Sequence, residues 1–371
     1  MNILLVHPLI PVGDNQVTFG AVEYYRMYKP HLVLSKLHPE YTYTTTDSVI
    51  NQTDEALKEF DMILFSRIIL RPDETSARLN KLGIKFGLDL DDYWHLDDRH
   101  LLYERYKSDN TTALIAKSIS VAHFVFCTTS ILASYIKPLN PNVYVLPNGI
   151  DTDDEVWKPK RIYSDRTRFG FTQGDTHLPD MMLIDSGVQN SLYTNRFRRD
   201  GQIVLCGFKG NMTVSIGYER LLTKDLKAIP DKNYVSRLMQ MTKESPTDQP
   251  YRRIWALDID EFPTIYDSID VSVVPLRDTL FNSCKSNIKM LEAGFKGCAV
   301  MVSNVSPYKE FATKENSFLL SEKGFYEWQS YIINNPEIIK EKVHYLSRDV
   351  RKYSLNNLTK ERADVYKHLW K

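Results

Sequence analysis

The sequence predicts an α/β protein of two domains, each built round a mostly parallel sheet. Three observations predict it. Short apolar runs alternate with amphipathic stretches through both halves, which is the pattern of β-α-β units. A chain of 371 residues exceeds what one ordinary core supports. After Pro147-Asn148-Gly149-Ile150-Asp151 the chain is polar, charged and proline-containing to about Ser164, with no clear periodicity, as a linker would be.

In the first half, apolar runs predict strands at residues 2–7, 62–66, 85–88, 124–128 and 143–146. Helical spacing fills the gaps at 22–35, 75–82, 113–121 and 130–136, with Thr75 and Ser130 where caps are useful. These elements define a first domain over 1–152. Strands at 168–171, 202–207, 253–257, 271–275 and 299–303 define a second over 165–350. The long polar stretch 209–252 carries no strong strand signal and is read as helices with an insertion.

Composition narrows the function classes. Forty-seven basic residues balance forty-seven acidic ones, so no broad field draws the molecule onto nucleic acid or an anionic bilayer. With 43% hydrophobic residues there is enough apolar material for packed cores. Cys127, Cys206, Cys284 and Cys298 are scattered without C-x-x-C spacing, which fits reduced thiols and neither a zinc site nor a disulfide framework. The start, MNILLVHPLI, reads as a first strand rather than a leader peptide, and no run approaches 18 apolar residues. A cytoplasmic protein is expected, with peripheral membrane association left open.

The stretch CKSNIKMLEAG, 284–294, opens a helix just after the apolar strand at 271–275. Parallel sheets bind ligands where a strand's carboxyl end turns into a helix. With Ser286 as the cap, the backbone N–H groups of Asn287, Ile288 and Lys289 are unpaired in the helix and suit an anion. Lys285 and Arg277 add positive charge, so a diphosphate fits. Glu292 lies six residues beyond that cap, a rise of roughly 9 Å, and so reaches a neighbouring sugar hydroxyl pair instead. The alternative is a plain capped helix with Glu292 paired to Lys289 or Lys296 on a solvated face.

IYDSIDVSVVPL, CKSNIKMLEAG and CAVMVSNVSPYKEF together resemble the donor-binding half of GT-B glycosyltransferases, especially the retaining family-four type. VLPNGID at 145–151 resembles that group's strand-to-linker segment, and RFGFTQGDTH at 168–177 its glycine-containing donor loop. The resemblance implies a GT-B fold, two Rossmann-like domains facing across a cleft, with a last helix from about Leu355 packing back on the first domain. It implies that Glu292 contacts the nucleotide ribose and that Lys285, Ser286 and Asn287 hold the diphosphate of a nucleotide sugar such as a UDP- or GDP-sugar. Gly174, Thr176 and His177 would approach the donor sugar or its phosphate, and Lys209 the phosphate. One position departs from the pattern: eight residues before Glu292 the family wants an acid, and Cys284 stands there. Asn282 or Asp278 is the candidate substitute.

GLDLDDYWHLDD, 87–98, also opens at a strand's carboxyl end. Asp89, Asp91, Asp92 and His95 therefore fall near the predicted cleft, where a carboxylate or imidazole takes a proton from an acceptor hydroxyl. Asp92, His95 and Asp89 are the catalytic candidates, weighed against helix caps that merely order the loop. Gly20 and Arg26, in TFGAVEYYRMYKP, are candidates for an acceptor or phosphate loop.

The expected activity is glycosyl transfer from a nucleotide sugar to a hydroxyl-bearing acceptor such as a glycan. The expectation includes no metal, no separate cofactor, no nucleic-acid partner and retention of configuration. The rivals are a phosphatase of the haloacid-dehalogenase type using Asp89 and Asp91, a GT-B epimerase or phosphorylase, and a nucleotide-sugar binder without turnover.

Overall fold

In the computed structural model, which describes residues 1–11, 17–242 and 248–370, two six-stranded sheets carry the chain. The chain divides into two units, one of Met1–Asp153, Thr279–Ser286 and Lys352–Lys371, the other of Asp154–Asp278 and Asn287–Arg351.

Unit 1 contains β1 (Asn2–Val6), β2 (Thr42–Thr46), β3 (Met62–Ser66), β4 (Lys85–Leu90), β5 (Phe124–Cys127) and β6 (Val143–Val145). They pair in the order β2-β1-β3-β4-β5-β6, parallel throughout. Alternate residues face alternate sides. Leu4, Ile63, Phe65, Phe86, Leu88 and Val125 pack into one core, while Ile3, Leu5, Met62, Leu64, Phe124 and Phe126 pack into another. Burial on both faces explains why these strands read as continuous apolar runs. The Thr-rich β2 did not read as a strand, because it lies at the edge and pairs only with β1.

The helical pattern at 22–35 corresponds to Ala21–Glu23, a π-helical turn at Tyr24–Tyr28 and a helix Lys29–Leu37. The helix at 75–82 starts earlier, at Pro72, and Thr75 is no cap, since its hydroxyl donates to the Leu70 carbonyl at 2.7 Å. The cap of Ser130–Ile136 is Thr129, whose Oγ1 accepts from Leu132 N–H at 3.2 Å. The final helix, Leu355–Trp370, packs in unit 1 against Lys29–Leu37. Buried His31 is 2.7 Å from the Tyr366 hydroxyl there.

Unit 2 contains β7 (Thr167–Phe171), β8 (Gly201–Phe208), β9 (Tyr251–Trp255), β10 (Val271–Val274), β11 (Ala299–Val302) and β12 (Phe318–Leu319). Their order, β9-β8-β7-β10-β11-β12, is that of a doubly wound nucleotide-binding sheet. β12 has only two residues and gave no sequence signal. The stretch 209–252 holds helices Thr213–Thr223 and Lys232–Gln240, and its residues 243–247 lie outside those described. Among the described residues, no helix is long and apolar enough to cross a membrane.

Candidate functional site

Doubly wound sheets take ligands at the carboxyl ends of the two strands where the winding reverses. In unit 2 those strands are β7 and β10. Beyond β7, Thr172 is tied to Ser272 by a hydroxyl pair at 2.8 Å, and the Gln173 amide donates to the Pro275 carbonyl at 2.7 Å. Buried Asp180 then gathers Arg277 and His177. Its Oδ1 accepts from the backbone N–H and Nε of Arg277 at 2.9 and 3.3 Å, and its Oδ2 lies 2.7 Å from His177 Nδ1. The Gly174 carbonyl accepts from the Tyr218 hydroxyl at 2.9 Å. Gly174, Thr176, His177 and Arg277 are thus brought to one edge of the sheet. Exposed Lys209 stands beyond β8, the neighbouring strand.

The marked helix runs over Ile288–Phe295, starting one residue later than predicted. Asn287 caps it without a side-chain bond, and the predicted cap Ser286 instead accepts at Oγ from the Asn148 amide at 2.7 Å. Ser286 is therefore an anchor of its own loop. Among the described residues, no acceptor meets the backbone N–H groups of Asn287, Ile288 or Lys289, so the anion-binding end of the helix is intact.

Glu292 is 1% exposed and lies on the inner face of this helix. The Tyr266 hydroxyl donates to its Oε2 at 2.6 Å, and Lys289 Nζ does so at 2.8 Å. Burial first, and the Glu292 charge second, hold the Tyr266 phenol well above its ordinary range, so it stays a donor. Lys289 is fixed in turn by the Phe262 ring, 4.6 Å from its ammonium to the centroid. The solvated-face alternative for Glu292 does not hold, although its pairing with Lys289 does. Gly294, two residues on, packs so close to Val350 that a Cβ would lie 2.7 Å from Cγ1.

In unit 1 the winding reverses between β1 and β3. Arg26, on the π-helical turn, reaches Asp89 at the end of β4 through two bonds of 2.7 and 3.0 Å. Its remaining donors meet the Leu146 carbonyl at 2.7 Å and Asn148 at 3.1 Å. Both Arg26 and Asp89 are buried. Against the expectation of a base or nucleophile at Asp89 and a phosphate contact at Arg26, the two side chains are closed from solvent and spent on each other. Together they brace the strand end that positions the next two acids.

Asp91 and Asp92 follow at once. Lys285 Nζ lies 3.1 Å from both oxygens of Asp92. Asp91 keeps a sealed oxygen, Oδ1, without a hydrogen-bond partner. Burial, then the neighbouring Asp92 charge, pushes its carboxyl up to about 6, against the opposing pull of Arg67, Lys285 and Arg26. A carboxylate tuned toward neutrality is the environment of a general base. His95 is exposed and leans on Tyr93, ring centroids 5.2 Å apart.

Two residues escaped the sequence reading. Buried Glu23 accepts from Ser66 Oγ at 3.1 Å and lies 3.8 Å from Arg67. Gly20 packs against this carboxylate: a Cβ there would sit 2.4 Å from Glu23 Oε2. His7, at the end of β1, is buried with Nε2 unpartnered. Its only available signal was its position after the first apolar run.

Cys284 does not replace the missing acid. It is sealed in the first core beside β4 and β5, and burial pushes its thiol up to about 12. Asn282 is buried and Asp278 exposed.

Solved structures align along the whole chain with both sheets. A sucrose-phosphate synthase from Thermosynechococcus elongatus superposes with a TM-score of 0.63 at 12% identity, covering 100% of this chain and 99% of its own. Anabaena HepE in complex with UDP gives 0.63 at 11%, covering 99% of each chain. The chain has the GT-B fold. That fold also appears in a Listeria monocytogenes protein provisionally assigned as a UDP-N-acetylglucosamine 2-epimerase, with a TM-score of 0.57 at 12% identity over 99% of this chain and 96% of that one. No protein-family model matches the sequence, and no curated protein matches it. At these identities the likeness shows the architecture alone.

Proposed function

We propose that this protein transfers a sugar from a nucleoside-diphosphate donor to an acceptor hydroxyl, with the donor in unit 2 and the acceptor in unit 1. The observation that carries the reading is Glu292: a buried carboxylate, braced by Tyr266 and Lys289, on the helix whose unpaired N–H groups begin at Asn287. Such a carboxylate accepts two ribose hydroxyls while the helix end accepts the diphosphate. HepE, of the same fold, was solved with UDP, which supports a nucleotide as the ligand.

In the reaction, the bond between the sugar's anomeric carbon and the diphosphate oxygen breaks, and the departing diphosphate takes that electron pair. Helix N–H groups, Arg277 and His177 receive the charge. Asp91 takes the proton from the acceptor hydroxyl as its oxygen bonds to the anomeric carbon. The reading assigns the leaving group to the helix N–H groups and Arg277 and is metal-independent. Retention of configuration is carried by the family resemblance, with Cys284 withdrawn into the core.

The test is release of nucleoside diphosphate from a panel of UDP-, GDP- and ADP-sugars with mixed acceptors. Release that Glu292→Ala and Asp91→Asn both abolish supports transfer. A panel with no release sinks it. Sugar inverted at a ring carbon without any acceptor would instead favour the epimerase reading.

A further inference from the structure

Asp180 is a buried carboxylate at the carboxyl edge of the unit 2 sheet. A charge taken out of water needs partners, and Asp180 takes them from two separate stretches of chain. Its Oδ2 lies 2.7 Å from His177 Nδ1, while its Oδ1 accepts from Arg277 twice, at the backbone N–H and at Nε. Asp180 follows β7 and Arg277 follows β10, so the carboxylate ties together the two strands at which the winding reverses. Three features set it apart from a plain internal ion pair. The partners stay partly open, since the His177 and Arg277 side chains keep 16% and 17% of their surface against 4% for Asp180. The loop has room beside it: among the described residues, nothing lies within 4 Å of a Cβ built on Gly174. Tyr308, buried in the loop after β11, connects the cluster to Glu292. Burial, then the charges of Glu292 and Asp180, hold its phenol above the ordinary range, so both carboxylates act on one ring, as the two ends of a single ligand site would.

We infer that Asp180 is a positioning residue for the donor's diphosphate: its sealed carboxylate locks the Arg277 guanidinium against the loop, with His177 holding the other oxygen, so that the outer edge of the guanidinium meets the phosphates. This deepens the transfer reading and rests on it for the word donor. A guanidinium binds phosphate best as a fixed planar fork. Left untied, the long arginine side chain would give up rotamer freedom each time a ligand bound. Asp180 takes that loss during folding, and its own charge is already matched by Arg277.

The experiment measures dissociation constants by calorimetry for the full chain, Asp180→Asn, Arg277→Gln and the double variant, with UDP, GDP, ADP and inorganic pyrophosphate as probes. For a probe that the native chain binds, each single variant should weaken binding at least about tenfold, as loss of a hydrogen bond to a charged group does. The double variant should bind no more weakly than Arg277→Gln alone, because Asp180 acts through the arginine; a merely structural carboxylate would add a loss of its own. Asp180→Glu keeps the charge and moves it by one methylene, so it should show the same loss, and it takes the place of Asp180→Asn should that variant lack a cooperative melting transition. Removing a carboxylate near phosphate would by charge alone tighten binding. Unchanged or tighter binding in the Asp180 variant, or losses that multiply in the double variant, overturns the inference. Pyrophosphate bound through Asp180 and Arg277 while no nucleotide binds supports it and sinks the transfer reading. No probe bound by the native chain overturns both.

Discussion

The Tyr266 hydroxyl lies 2.6 Å from Glu292, and both side chains are buried. One residue stands just before β10 and the other on the helix that follows it, so a phenol fixes the carboxylate that the proposal assigns to ribose. Tyr266→Phe removes a hydrogen bond to a buried charge. It should cost about 1.5–3 kcal/mol of stability, read from the denaturant midpoint, and weaken UDP binding roughly tenfold while Lys289 still holds the other contact.

Asp91 carries an opposed effect on stability and activity. Its folded value of about 6 stands above the ordinary carboxyl value of 3.8. Between these, the native state holds the proton and the unfolded state has lost it, so stability falls as pH rises from about 4 to 6 and the cost persists above. Asp91→Asn is therefore expected to raise the melting temperature at pH 7. As the base, Asp91 must be ionised, so turnover should fall below about pH 6, and the variant should lose about 10²- to 10⁴-fold in kcat. A variant with full activity and the same acid limb would exonerate Asp91.

The Arg26–Asp89 pair makes a different kind of prediction. Removing one partner strands a buried charge, so Arg26→Met should destabilise by about 3–5 kcal/mol. The double variant Arg26→Met, Asp89→Leu should recover much of that. Chemical denaturation of the three proteins measures the coupling directly.

His31 makes unit 1 sensitive to acid. Burial, then the Arg362 charge, pushes its imidazole down to about 3. The unfolded chain protonates near 6.5 while the native state resists, so stability is lost as pH falls from about 6.5 toward 3. His31→Gln should flatten that slope, as followed by urea midpoints at pH 7, 6 and 5.

Much of the architecture was legible because buried parallel strands write continuous apolar runs, as Met62–Ser66 does with every residue buried. The edge strand Thr42–Thr46 was not, since only one neighbour and no second covered face constrain it. Glu292 stood out through its spacing from Ser286, six residues back at the helix start. The meeting of Arg277 with Asp180 did not, because the partners lie 97 positions apart and only the β7–β10 pairing brings them together. Asp89 and Arg26 looked functional for the reason that they are structural: a charge at a strand end needs either a substrate or a partner. Sequence shows the charge and leaves the partner, 63 positions away, unseen.

Calorimetric titration of UDP, GDP and ADP into the native chain and into Glu292→Ala tests the central claim most directly. The account predicts saturable binding of one of these nucleotides by the native chain and at least a tenfold loss in the variant, with the melting temperature of the unliganded variant still showing a cooperative transition. Binding of equal strength in both proteins, or none of the three nucleotides bound by the native chain, would contradict it.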